Sequence, residues 1–301
     1  MDDIVPTETK KLFDPKIDFC FKRIFGHKDY NFIDFANKVL ALKEENKIVS
    51  VEFLNLEVQK TYEEDKESRF DVLAKLKDGS RISIEMQLGH DSQYEKRALY
   101  YWSKLYEDPL QENMRYKDLT KTVAIHVLNF NLFHDKDSFH SKLVVADENT
   151  QQRRFHDFEV HIIEIKKLSK TCYDEPNPLE KWVLFIKDPS KENLEALAMQ
   201  DSAIATAVKD LEILSHDPKN RVLYEARRKY WLDFNSQMSD ARDEGIAEGI
   251  AEGIAEGIAE GIAEGETRKA LDMAKKLKLL GIPVGTIKEA SGLSEEEINQ
   301  L

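Results

Sequence analysis

The sequence predicts an α/β protein of the α+β kind: a mixed sheet followed by a helical C-terminal region. Three observations carry this. Residues 69–87, R-F-D-V-L-A-K-L-K-D-G-S-R-I-S-I-E-M-Q, alternate apolar and polar side chains on both sides of an Asp-Gly, the strongest hairpin signal a single sequence offers. The segments flanking that hairpin change between helical and strand periodicity. Beyond Pro178 the pattern stays helical to the C-terminus. With 301 residues the chain can bury one large core or two modest ones.

The hairpin's loop length decides which side chains meet. A two-residue loop at Asp78-Gly79 pairs Asp71 with Met86 and mixes charged with apolar residues along the ladder. A three-residue loop, Lys77-Asp78-Gly79, leaves Gly79 free to take the left-handed position that closes such loops. Leu76 then pairs with Ser80, Ala74 with Ile82, Val72 with Ile84 and Phe70 with Met86, giving one apolar face. The other face sets Asp71 opposite Glu85, with Gln87 next along and Ser83 opposite Leu73. A one-residue slip moves every side chain to the wrong face, so the second register is expected. Opposed residues have Cβ atoms about 4.5–5.5 Å apart, and two carboxylates that close repel unless a cation or proton lies between them. An oxygen pair of this kind suits a hard ion, Mg²⁺ or Mn²⁺. The alternative is a solvated sheet face that happens to carry Asp and Glu.

In chain order, residues 12–25 read as a short amphipathic helix or turn burying Phe19, Phe21, Ile24 and Phe25. Asp18 and Lys22 share a face at i, i+4, which by itself reads as a helix salt bridge. Tyr30–Leu42 is a second helix, with Phe32, Phe35, Ala36, Val39 and Leu40 at helical spacing. Ile48–Val58 reads as a strand beside the hairpin, and residues 63–67, E-E-D-K-E, as an exposed connection. His90–Glu107 is a helix with Tyr94, Ala98, Tyr101 and Leu105 in one stripe and Leu99, Trp102 and Tyr106 beside it. Tyr100 and Tyr101 are expected to pack. Lys121–Phe130 is a buried strand whose His126 is expected to be hydrogen-bonded in the core. Strands follow at Lys142–Ala146 and Glu159–Ile165, then helices at Leu179–Ile186, Leu194–Ala198, Ala203–Leu214 and Val222–Phe234. His156 and His161 receive no role.

From Glu244 the tetrapeptide E-G-I-A occurs five times and is followed by Glu264-Gly265. A four-residue period suggests a helix whose Ile stripe drifts about 40° per repeat. Six glycines, each costing about 1 kcal/mol against Ala, make such a helix marginal alone; self-association through the stripe offsets this, and a slippage-expanded spacer is the other reading. The tail runs Arg268–Leu280, stopped by Gly281 and Pro283, then two short helices, the last opened by Ser294 as N-cap with Glu297 completing a capping box. Three glutamates at its start argue for protein contact rather than DNA reading. The expected division is 1–135, 136–237, 238–266 and 267–301.

Asp71, thirteen intervening residues, then Glu85-Met86-Gln87 resembles the Asp…Glu-x-Lys centre of PD-(D/E)XK nucleases. More narrowly, the chain resembles the Rpn family, the recombination-promoting nucleases also called PD-(D/E)XK family transposases. Supporting stretches are Asp14-Pro15-Lys16-Ile17-Asp18-Phe19-Cys20-Phe21-Lys22-Arg23-Ile24-Phe25, Ile84-Glu85-Met86-Gln87, Arg97-Ala98-Leu99-Tyr100-Tyr101-Trp102-Ser103 and the tail. The resemblance covers most of the chain. It implies a restriction-endonuclease-like α-β-β-β-α-β core, a 1–135 nuclease-like domain, and catalysis by Asp71, Glu85 and Gln87 with Asp71 and Glu85 holding Mg²⁺ or Mn²⁺. Asp18, Lys22 and Arg97 are auxiliary candidates. Arg97 either holds the scissile phosphate and stabilises transition-state charge or is a solvated charge on its helix. Gln87 stands where the superfamily has Lys, although Gln is similar to the Rpn pattern.

A net charge of −13 opposes casual nucleic-acid binding, yet a metal-binding nuclease needs acids at its centre, and Lys22, Lys75, Arg81, Lys96 and Arg97 offer a basic rim. Cys20 and Cys172, without CxxC spacing, point to a reducing compartment and no zinc site. An acidic, polar start lacks a signal peptide, and no apolar run approaches the ~20 residues of a bilayer span, so a soluble cytoplasmic location is expected. These features together predict a metal-dependent DNA endonuclease acting in recombination, transposition-like or defence processes, assembled as a homo-oligomer, a dimer first, through the repeat and tail. The competing expectation is an inactive nuclease fold serving as an oligomeric binding or scaffold protein.

Overall fold

A computed structural model describes residues 11–54, 71–110, 115–168 and 175–301. Phe70, the 63–67 connection, residues 55–58 of the first expected strand and Cys172 lie outside the described residues. The chain forms two compact units, Met1–Trp231 and Leu232–Leu301.

In the first unit, helices α1 (Asp18–Phe25) and α2 (Asp29–Leu40) precede strands β1 (Glu52–Phe53), β2 (Val72–Lys75) and β3 (Arg81–Gln87). Helix α3 (Tyr94–Glu107) carries the chain to β4 (Thr122–Leu128), followed by β5 (His140–Leu143) and β6 (Phe158–Glu164). The sheet order is β1-β2-β3-β4-β6-β5. Pairing is antiparallel at β1/β2, β2/β3 and β5/β6, and parallel at β3/β4 and β4/β6. The α-β-β-β-α-β order is thus present, with α2 as an additional helix before β1. Helices α4 (Pro178–Lys187), α5 (Lys191–Gln200) and α6 (Ser202–His216) complete the layer. Asn177 and Glu180 form a capping box at α4, and Asp201 caps α6.

The hairpin adopts the three-residue loop: Val72 pairs with Ile84, Ala74 with Ile82, and Leu76 N–H donates to Ser80 O at 2.8 Å. Gly79 has φ +87°, and a Cβ there would meet Thr120 Cγ2 at 3.1 Å. The apolar hairpin face packs on α1, α2, α4 and α6 around Phe25, Phe35 and Trp182. The opposite face is not solvated. Helix α3 covers it, with Leu105 and Tyr101 against Leu73, and with Tyr94 and Ala98 against Ala124, Leu128, Val160 and Ile162.

Several expectations change in detail. The strand expected from Ile48 is paired only at Glu52–Phe53 among the described residues. Helix α3 starts at Tyr94 because Asp91 turns the chain first, accepting from Gln93 N–H at 2.9 Å. Leu99, expected beside the buried stripe, is 56% exposed because it lies on the outer flank of α3.

One helix, α7 (Pro218–Leu279), joins what the pattern divides into Val222–Phe234, the repeat and Arg268–Leu280. Alanine and glutamate in each repeat favour helix enough to carry the chain through the glycines. In the second unit, α8 (Val284–Ser291) and α9 (Glu295–Gln300) close a small core of Ala274, Ile287 and Ile298. The Ser294–Glu297 capping box is formed as expected. Among the described residues no helix is long and apolar enough to cross a membrane.

Candidate active site

Asp71 stands immediately before β2, and continuing the Val72–Ile84 register sets it opposite Glu85 on β3. Its two oxygens have separate partners: Oδ2 accepts Met86 N–H at 2.9 Å, and Oδ1 meets Lys22 Nζ at 3.1 Å. Burial pushes the Asp71 pKa up from its ordinary value; the Lys22 ammonium and the Met86 hydrogen bond oppose this, and the Asp18 charge adds to the rise. Lys22 therefore serves Asp71 rather than Asp18. The i, i+4 salt bridge that spacing alone suggests is replaced, and Asp18 instead lies 4.0 Å from Arg227.

Glu85 projects from the middle of the covered face. Its Oε1 is buried and has no hydrogen-bond partner. Burial, then repulsion from Asp71, pushes its pKa up to about 8, against the pull of Arg97 and Lys22. Without a bound cation the pair therefore shares a proton at neutral pH, as closely placed carboxylates do. Gln87 ends β3, its Nε2 donating to Gly89 O at 3.3 Å. The amide keeps a carbonyl oxygen to orient a neighbour but accepts no proton at neutral pH.

From the covering helix comes Arg97. It pairs with Asp91 Oδ2 at 3.0 Å, and its guanidinium lies 4.8 Å from the centroid of the Tyr94 ring. Its Nε is buried without a partner. Below it, the Tyr94 hydroxyl and His126 Nδ1 are hydrogen-bonded at 2.9 Å. His126 lies on β4 directly abreast of Glu85. Burial, then the Arg97 charge, lowers the His126 pKa to about 4, so the ring is neutral.

The structure thus brings together Asp71, Glu85, Lys22 and Arg97, with Asp18 close enough to act on Asp71 and Gln87 at the strand end. The expected basic rim is largely engaged: Arg81 pairs with Asp108 at 2.5 Å, Lys22 with Asp71 and Arg97 with Asp91. Tyr94, expected in the buried stripe of its helix, and His126, expected to be hydrogen-bonded in the core, are bonded to each other here. Parallel pairing across a helical crossover places them here, and no local pattern encodes that register.

Among the described residues no group of three or more His, Cys, Asp and Glu is arranged to hold a metal ion. The carboxylate pair still fits a hard divalent cation, because Glu85 Oε1 is a buried acceptor with no donor and Mg²⁺ takes one or two carboxylates with water and phosphate completing its shell.

Searches of curated proteins and of solved structures return no match. The family profile described as PD-(D/E)XK nuclease family transposase matches residues 15–241, about three quarters of the chain. That span takes in α1, the hairpin with Asp71 and Glu85, helix α3 with Arg97, and the helical layer behind them: the chain belongs to the PD-(D/E)XK nuclease family transposases.

Proposed function

We propose that this protein is a metal-dependent DNA endonuclease that hydrolyses phosphodiester bonds in recombination, transposition-like or defence processes. The half-buried Asp71–Glu85 pair, with one buried carboxylate oxygen left without a donor, is the observation that carries the reading. Asp71 and Glu85 hold the cation, Mg²⁺ or Mn²⁺. Bound there, it supplies charge neutralisation at the phosphate and a lowered pKa for water. Met86 N–H fixes one Asp71 oxygen, so Oδ1, which meets Lys22, is the oxygen that would face a bound cation. Lys22 then offers its ammonium to the phosphate or to the attacking water. Gln87 orients that water without taking its proton, so turnover at neutral pH is expected to be slower than with a lysine there. Arg97 holds the scissile phosphate and its developing charge, which a guanidinium does through paired N–H donors.

Supercoiled plasmid with Mg²⁺ or Mn²⁺ tests this. Nicking or linearisation by wild type, abolished by EDTA, Asp71→Ala and Glu85→Gln, is the expected result. Equal cutting by Asp71→Ala overturns the site.

A second reading is favoured by the five repeat isoleucines, each 50–59% exposed: an inactive nuclease fold acting as an oligomeric scaffold. Carboxylates with no measurable affinity for Mn²⁺ decide for it. In either reading α7 and the tail assemble copies of the chain, a dimer first.

A further inference from the structure

Arg97 has two supports, and the second is itself held from the sheet. Asp91, in the turn before α3, holds one terminal nitrogen at 3.0 Å while its other oxygen caps that turn. The Tyr94 ring, one helical turn earlier on the same helix, lies under the guanidinium at 4.8 Å. Tyr94 is in turn fixed from the sheet. Its hydroxyl bonds His126 Nδ1 at 2.9 Å, and its ring stands edge-on to both His126 and Phe130 at 88° and 85°. Tyr94 is 2% exposed and His126 1%, so neither can exchange this bond for one to solvent.

A tyrosine used only for packing needs no partner of this kind. Phenylalanine would fill the same space without burying a hydroxyl on a histidine whose Nε2 is left without a bond. A buried donor or acceptor without a partner costs stability. The arrangement therefore trades stability for the position of one ring. That ring is the platform of the only guanidinium whose charge is felt by Glu85, Tyr94, Tyr101 and His126 among the described residues.

We infer that Tyr94 and His126 are positioning residues: their buried hydrogen bond, anchored on the strand beside Glu85, sets where Arg97 presents its N–H groups to a DNA phosphate. This rests on the nuclease reading for the identity of the phosphate. The geometry follows from how the two elements meet. Helix α3 can roll on the apolar part of the sheet, because Ala98 and Leu105 make contacts without direction. A hydrogen bond has direction, so the Tyr94–His126 bond fixes the roll at the end of the helix that carries Arg97. A misplacement of about 1 Å at such a clamp costs up to about 100-fold in rate.

The test uses the full chain in four forms besides wild type: Tyr94→Phe, Arg97→Ala, the Tyr94→Phe/Arg97→Ala double variant, and Tyr94→Phe/His126→Leu. The last replaces both polar partners with apolar groups of similar shape and so avoids leaving His126 bare. Affinity for a labelled DNA duplex is measured in Ca²⁺ over a range of salt, kcat and KM for cleavage in Mg²⁺, and Mn²⁺ affinity by electron paramagnetic resonance.

Tyr94→Phe and Tyr94→Phe/His126→Leu are each expected to weaken DNA binding about 10-fold and to lower the salt slope by about one, as loss of one phosphate contact does. Mn²⁺ affinity is expected to stay within about twofold, which a collapsed site would not permit. In the Arg97→Ala background, Tyr94→Phe is expected to add less than about twofold, because the group it positions is gone. Losses that multiply, or wild-type DNA affinity and slope in Tyr94→Phe/His126→Leu, overturn the inference. If these binding effects hold and wild type cuts no DNA in any metal, the nuclease reading fails and the positioning of Arg97 stands. A wild type that binds no DNA with or without Ca²⁺ overturns both.

Discussion

Glu85 carries a proton at neutral pH that an exposed glutamate would not. Its ordinary value is 4.5, and in the fold it titrates near 8. Between those pH values the folded protein binds more protons than the unfolded chain, so stability falls as pH rises, and the loss is complete above about pH 8. Glu85→Gln removes the buried charge while keeping the shape. Its melting temperature, measured without divalent ions, is expected to exceed that of wild type at pH 9 and to match it at pH 4, an effect on the order of 5 kcal/mol at the upper pH. Adding Mn²⁺ at pH 9 is expected to raise wild type toward the variant and leave the variant unmoved. Equal melting of the two proteins at pH 9 would contradict the burial argument. Both carboxylates were legible in the sequence because a hairpin register is local: seven residues either side of one Asp-Gly fix it. Lys22 was legible as a polar residue but not as the partner of Asp71, since Asp18 at i−4 offered a nearer pairing. Tyr94 and His126 were not legible as a pair, because their meeting depends on how far α3 slides along β4.

Elements show the same division between local and distant information. The β2–β3 loop closes through Gly79 at φ +87°, with Thr120 3.1 Å from where a Cβ would stand. Gly79→Ala is expected to cost about 1–2 kcal/mol in urea unfolding, from the left-handed backbone and the contact together. Activity per folded molecule should be unchanged, since the loop lies at the far end of the hairpin from Asp71 and Glu85. The β4–β6–β5 side depends on a group that no pattern announced. Glu159 is 2% exposed and accepts from Lys121, Lys142, Arg153 and His161 at 2.9–3.0 Å. Burial pushes its pKa up, but those four hydrogen bonds outweigh it and hold the carboxyl well below the usual range. The stability it contributes is present above its ordinary value of 4.5 and is lost as pH falls below that toward its folded value. Glu159→Gln leaves three cations facing an uncharged group. It is expected to cost about 3–5 kcal/mol at pH 7, with a smaller difference from wild type at pH 3, both read from urea midpoints. The residues of β6 read as a strand at Glu159–Ile165 from the sequence. That reading could not show that Glu159 gathers cations from the residue before β4, from β5 and from the 146–153 turn, because each arrives from a different part of the chain.

At the scale of the whole molecule, the −13 charge and the repeat bear on assembly. Along α7 each repeat places Ile on one i±4 ridge, with Gly about 100° to one side, Ala about 100° to the other and Glu about 160° away. Ile246, Ile250, Ile254, Ile258 and Ile262 are 50–59% exposed, and a Cβ added at any repeat glycine meets nothing within 4 Å. Two such surfaces are complementary to each other. An isoleucine ridge fits the shallow groove over the glycines, while the glutamate ridges stay on the far sides. Ridges of i±4 spacing that interdigitate cross at about −50°, unlike the +20° of heptad coiled coils. The 40° drift per repeat also carries the stripe off any straight line of contact within about two repeats. The dimer we propose is therefore a crossed pair touching over a few isoleucines rather than a rope along the repeat. A cysteine scan of the five isoleucine positions in a Cys172→Ser background separates the two arrangements. A crossed pair is expected to give disulfide dimers at one or two adjacent positions and none at the others. Efficient cross-linking at all five would mean a parallel rope, and none at any position in a protein that elutes as a monomer would remove the repeat from assembly. Ile254→Ser with Ile258→Ser is expected to weaken the dimer by at least about 10-fold in sedimentation equilibrium, since each buried isoleucine is worth about 1.5–3 kcal/mol, while the melting of the first unit should be unchanged.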